Sequence, residues 1–161
     1  MEDNADLRFE RGDQTPERFK RQFSRLVGMT AAQARKVAGD ALDGVGARRY
    51  HYMVLASLAE FGPASQAALA DRSGVFRSDL VAVLNELVAD GYIQRGPDPA
   101  DKRRNVITMT EAGERRVIEL DRILDGVNEK VLAPLTKAER GELFSLLGRV
   151  NAHLAREDFA R

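Results

Sequence analysis

The apolar residues of this chain fall into blocks of two different periods. Phe19, Phe23, Leu26, Val27, Ala34, Val37, Ala38 and Ala41 recur at helical spacing, which gathers side chains on one face of a 3.6-residue turn. Thr15-Pro16 stands just before them; threonine can cap, and proline suits the first helical position. The pattern predicts one long helix over residues 15–42, with Gly44 and Gly46 flanking its end. A terminal helix of that length often serves as a partner surface rather than local core. Tyr50, Val54, Leu55, Leu58 and Phe61 predict a second helix over 47–61, stopped by Gly62-Pro63. Ser65 is placed to cap a short third helix with Leu69 and Ala70 inward, and Ser73-Gly74 makes a tight turn. Leu80, Val83, Leu84, Leu87 and Val88 mark a fourth helix over 76–90, and Gly91 supplies its stop.

Here the period changes. Residues 92–95 and 106–109 are β-prone, and a charged tip with prolines lies between them. Thr110 is placed to cap a fifth helix reaching about residue 131. Val117, Leu120, Leu124, Val127 and Val131 give it a heptad-like seam. Pro134 breaks the chain, and Thr136 with Glu139 forms a capping box that opens a sixth helix. Leu143, Leu147, Val150 and Leu154 continue the seam spacing there. Helix, turn, helix, then a hairpin with a basic loop is the order of a winged helix-turn-helix. The predicted fold is mostly α with a small β-hairpin wing.

Composition sharpens this picture by exclusion. The formal net charge is zero, with 25 basic and 25 acidic residues, so bulk charge does not point to nucleic acid. Its distribution is uneven. Glu2, Asp3, Asp6, Glu10 and Asp13 outnumber Arg8 and Arg11 in residues 1–14, which read as an acidic flexible tail with Leu7 and Phe9 as its only anchors. Residues 15–42 carry a net +4. The chain has no cysteine, which excludes disulfides, thiol redox sensing and thiolate zinc sites. His51 and His153 lack metal-ligand spacing, and no metal or cofactor is expected. No apolar run approaches the roughly 18–20 residues a membrane span needs, and no signal peptide is evident, so the protein is expected to be soluble and cytoplasmic. Paired carboxylates, a nucleophile with its base and a phosphate-cradling loop are all missing, which argues against an enzyme. Gly39, Gly44 and Gly46 follow no strand and make no dinucleotide fingerprint.

A helix-turn-helix presents the N-terminal part of its second helix to the major groove. The residues so placed are Arg77, Ser78, Asp79, Val81 and Ala82. Arg77 can reach a guanine or a phosphate. Asp79 either accepts from a cytosine amine or stabilises the helix N-terminus. From residue 77 to 90 the net charge is −2, so this helix needs electrostatic help. Residues 95–104 carry a net +2, with Lys102, Arg103 and Arg104 following Asp101. Asp101 is spaced to orient the Arg103 guanidinium toward a minor groove or phosphates. Taken alone, such a run reads as a solvated hairpin loop; directly behind a helix-turn-helix it reads as a DNA contact.

The stretches YHYMVLASLAEFGPASQAALADRSGV, LNELVADGYIQR and DPADKRRNVITMTEAG resemble the MarR (multiple antibiotic resistance regulator) transcription factors. The last is the most specific, since Asp101, Arg103, Thr110 and Gly113 stand at the family's wing spacing. The resemblance implies an obligate homodimer on pseudo-palindromic double-stranded DNA. Residues 15–46 and 113–161 would form the dimerisation region and 47–112 the DNA-binding lobe. Ser65 and Gln66 would touch the DNA backbone, the fourth helix would read bases and Arg103 would enter the minor groove. Two positions depart from the pattern: Phe76 replaces a polar cap, and Ala82 stands where many members are basic. Many relatives respond to small aromatic acids, for which Tyr50, His51 and Tyr52 with Arg25 are the nearest candidates here; the competing reading of these residues is core packing. The expected function is a homodimeric, sequence-specific transcriptional regulator, a repressor released by a small ligand. The alternative is a winged-helix protein–protein module without specific DNA binding.

Overall fold

The computed structural model of the chain describes residues 15–97 and 105–156. Two units can be distinguished, one up to Asp125 and one from Gly126 onward. The elements of the first are α1 (Glu17–Lys20), α2 (Phe23–Asp43), α3 (Arg49–Phe61), α4 (Gln66–Ser73), α5 (Arg77–Ala89), β1 (Ile93–Pro97), β2 (Asn105–Met109) and the greater part of α6 (Glu111–Val131). The second holds the end of α6 and α7 (Lys137–Arg156). The mostly helical architecture with a two-stranded wing matches the sequence expectation.

In the first unit the helices close on one core. Val54 and Leu55 of α3, Leu69 of α4, Leu80, Leu84 and Leu87 of α5, Ile93 of β1 and Leu120 of α6 are fully buried there. Those on helices come from the apolar face that their helical spacing marks. The turns are set by chemistry already visible in the sequence. The Ser65 hydroxyl accepts the Ala68 N–H at 3.2 Å and caps α4. Gly74 and Gly91 close α4 and α5 at φ 66° and 75°, a left-handed backbone that glycine adopts without a Cβ clash.

β1 and β2 pair antiparallel with Arg95 opposite Ile107. On the other side of β2, Ala64 exchanges two backbone hydrogen bonds with Ile107, at 3.1 and 2.8 Å. The wing is thereby tied to the residue just before the α4 cap. The base of the hairpin is fixed by α6. Thr110 Oγ1 donates to the Gly91 carbonyl at 2.7 Å and accepts the Gly113 N–H at 3.1 Å. A Cβ on Gly113 would sit 2.1 Å from the Tyr92 carbonyl oxygen and 2.6 Å from Met109 Cγ. The first turn of α6 therefore lies against the hairpin as closely as backbone allows.

A polar clamp joins α3 to α5. His51 Nδ1 accepts the Arg48 N–H at 3.3 Å, so the neutral ring carries its proton on Nε2, which donates to Glu86 Oε2 at 2.7 Å. The Arg48 guanidinium bonds the same carboxylate oxygen. The His51 hydrogen bond first, then Arg48, holds the Glu86 carboxyl below the usual carboxylate range.

The structure corrects four details. The predicted single helix over 15–42 is two, α1 and α2, broken at Arg21 and Gln22, where Gln22 is extended at φ −84° and ψ 108°. The four-residue α1 buries nothing that would hold it in line, and apolar spacing cannot register a one-residue departure. Pro16, not Thr15, is the residue at the N-cap. Phe61 does not face the core: it is exposed, with the Arg72 guanidinium 5.3 Å over its ring. The seam on α6 is divided, because Val117 and Leu120 are core residues of the first unit and so are closed to a partner chain.

In the second unit the Thr136 capping box forms as predicted. Thr136 Oγ1 and N–H both donate to Glu139 Oε2 at 2.7 Å, and Glu139 N–H returns to Oγ1 at 3.4 Å. The threonine contacts keep the Glu139 carboxyl below its ordinary value. Arg140 bonds Glu129 at 2.7 Å and the Leu132 and Leu135 carbonyls at 3.1 Å, bracing the turn.

Two outcomes are expected. Gly113→Ala should lower stability by about 1–3 kcal/mol, the usual effect of overpacking; an unchanged urea midpoint would show that the contact relaxes freely. The depressed Glu86 carboxyl contributes stability above its unfolded pKa, near ~4.3, and loses it as pH falls through the lower folded value. Glu86→Gln should therefore be less stable than the parent near neutrality, with the gap closing in acid. Parallel melting curves from pH 7 to pH 3 would remove the clamp from the stability account.

Candidate nucleic-acid interface

Burying Leu80, Val83, Leu84 and Leu87 turns the other face of α5 outward. Arg77, Ser78, Asp79, Val81, Ala82 and Asn85 are all exposed. Ser78 Oγ donates to Asp79 Oδ1 at 3.3 Å. Arg77 lies 3.7 Å from Asp71 of α4, a solvent-exposed pair of little energetic weight. Phe76, at the N-cap, makes no side-chain capping bond and is 73% exposed.

Gln66, the first residue of α4, is the hinge of the arrangement. It lines a shallow concavity of about 200 Å³ together with Ala67, Arg77 and Leu80. It also lines a larger groove of about 500 Å³ with Val81 of α5 and with Arg95, Gly96, Asn105, Val106 and Ile107 of the hairpin. Two concavities thus meet at one residue, and α4, the outer face of α5 and the wing base share a continuous surface. Ser65 stands just before it; its oxygen is used as a cap acceptor, which leaves the hydroxyl proton available to an anion near the helix N-terminus.

Arg95 and Asn85 are the pair that sequence reading passed over as individual site residues. Arg95 Nη2 donates to Asn85 Oδ1 at 2.8 Å, joining the wing to α5. The signal was available in the strand period: Arg95 is two residues beyond buried Ile93, hence on the same sheet face, where the hairpin passes the core and meets α5. Asp101, Lys102, Arg103 and Arg104 lie outside the described residues.

The residues considered for an aromatic acid are placed differently. His51 is buried, with both ring nitrogens engaged by Arg48 and Glu86. The Tyr52 hydroxyl donates to Asp121 at 2.9 Å. Burial and then this bond push its pKa up to about 12. Tyr50 is half-buried against the core, and the Arg25 guanidinium lies 5.6 Å over the Phe19 ring. Among the described residues, no group of His, Asp and Glu is arranged to hold a metal ion, and no helix is long and apolar enough to cross a membrane.

The chain was compared with known proteins. The model of the MarR family matches residues 44–104, from the start of the core lobe into the wing. A putative transcriptional regulatory protein for the hcr operon of Thauera aromatica is 35% identical over 99 residues, 62% of this chain and 60% of that protein. The matched region thus spans about 60% of that relative's length. The transcriptional regulator HosA of Escherichia coli O111:H- is 33% identical over 98 residues, 61% of this chain and 72% of HosA. Among solved structures, Bordetella bronchiseptica BpsR, described with a mechanism for regulation of its DNA binding by 6-hydroxynicotinic acid, has a TM-score of 0.73 at 20% identity, over 85% of this chain and 98% of that one. This last likeness is one of fold. With the helix-turn-helix, the wing and the identity to HosA in agreement, the chain belongs to the MarR family, whose members are transcription regulators and not enzymes.

Proposed function

We propose that the protein is a homodimeric regulator that binds operator DNA in the cytoplasm and represses transcription until a small aromatic acid releases it. The observation that carries the DNA reading is the surface at Gln66, where α4, the outer face of α5 and the Arg95 end of the wing become contiguous. A duplex placed there would take α5 in a major groove, Ser65 and Gln66 at the backbone, and the wing residues Lys102, Arg103 and Arg104 toward a flanking minor groove. Because α5 carries a net −1, phosphate attraction has to come from Arg77, Arg95 and the wing.

The dimer reading rests on apolar side chains left in solvent. Phe144, Leu147, Val150 and Leu154 are exposed on α7, and Phe19, Phe23 and Leu26 on α1 and α2. Rows of this kind are characteristic of partner surfaces.

The effector reading rests on BpsR, whose effector, 6-hydroxynicotinic acid, is an aromatic acid. In this chain an acid acting on Arg25, Tyr50, His51 and Tyr52 would compete with carboxylates already present. Taking the place of Glu86 at His51 would release α5 from α3. Such a ligand shifts affinity only as far as it favours the released state.

Binding to the DNA upstream of the protein's own gene, followed by fluorescence anisotropy across salt, tests the proposal. Tight, salt-steep binding above that to random duplex is expected. Arg103→Ala should weaken binding on all sequences and reduce the salt slope by about 1; an unchanged slope would take the wing out of the mechanism. Sedimentation at micromolar concentration should give a dimer, and a monomer would refute that part of the reading.

A further inference from the structure

The outward face of the α5 N-terminal half carries the polar residues Arg77, Ser78 and Asp79 and, beside them, a strip of carbon. Phe76 and Val81 are 73% and 46% exposed, and Ala82 is exposed beside Val81. Of the polar residues here, Ser78 has its hydroxyl turned to Asp79 at 3.3 Å, and Asn85 has its carbonyl oxygen turned to Arg95 at 2.8 Å. A bidentate contact to adenine needs that oxygen to accept from N6 while the amide donates to N7. With its oxygen already held, Asn85 is left chiefly with its two donors. Around this apolar strip stand polar groups suited to phosphate and sugar: Gln66 in the adjoining groove and Arg77 at the helix start.

The major-groove code contains one apolar element, the C5-methyl of thymine, and alanine and phenylalanine side chains are among those that contact it. Building on the DNA-binding reading above, we infer that Phe76, Val81 and Ala82 are specificity-determining residues that read thymine methyl groups in each operator half-site. The polar rim positions the helix, and the carbon strip selects. Phe76 then has a use that its failure as a cap does not suggest: at the N-cap of α5 its ring stands where the helix first meets the groove.

The test separates the methyl from everything else thymine offers. The full chain is used to select its best duplex from a random library, and that duplex is remade with deoxyuridine at single thymine positions. Uracil keeps the pairing and the O4 acceptor and lacks only the methyl. Selected half-sites should carry thymine at fixed positions. Uracil at a contacted position should weaken binding about fourfold, the effect of one buried methyl-sized group, whereas uracil outside the half-sites should have no effect. Phe76→Ala and Val81→Ser should each make one position indifferent to the exchange, with circular dichroism confirming that the variants fold; both side chains are exposed, so folding is expected. Enrichment of a sequence whose affinity ignores every uracil, or whose methyl sensitivity survives both substitutions, overturns the inference and leaves the DNA reading intact. Selection that enriches no sequence above random duplex overturns both.

Discussion

The close approach of α6 to the hairpin is the constraint on which the proposed DNA-facing surface depends. A wing of two five-residue strands has too little apolar area to hold its own orientation. Here its base is held by Thr110, which bonds Gly91 on one side and Gly113 on the other, and by a helix turn that leaves no space for a Cβ. The end of α5, the start of β1, the end of β2 and the start of α6 all converge within that contact. Arg95 can reach Asn85 only because the strand carrying it leaves this junction in a fixed direction.

The helix proposed to read bases, α5, is held from behind by a different kind of force. Its core face is packed by leucine and valine, which fixes its depth but resists rotation only through shape. The shared Glu86 carboxylate adds a directional anchor to α3. A candidate effector residue, His51, is therefore also a strut between α3 and α5. If the proposed acid ligand binds at His51, that double position would give it a physical route to α5: exchange of one carboxylate for another at the same imidazole.

Much of this was legible in the sequence, for local reasons. Ser65, Gly74, Gly91, the cap bond of Thr110 to Gly113 and the Thr136–Glu139 box are governed by interactions within about four residues, so their types announce their conformations. The outward set from Arg77 to Ala82 followed from the buried set by helical geometry alone. What escaped depended on distant partners. Spacing showed a seam on α6 but could not divide it between a local core, which takes Val117 and Leu120, and surface left for another chain. The break at Gln22, the clamp on Glu86 and the bond between Arg95 and Asn85 require knowledge of which elements meet.

The single bridge of Ala64 to β2 bears on how the protein behaves when crowded. Unpaired strand edges invite pairing with other chains. Here β2 has β1 on one side and Ala64 on the other, so Ile107, one of its most apolar residues, presents no open backbone. The outer edge of β1 is five residues long, carries Arg95 and ends in Pro97, whose nitrogen has no hydrogen to donate. One alanine ahead of a helix cap thus closes the middle of a strand edge that would otherwise be open to another chain.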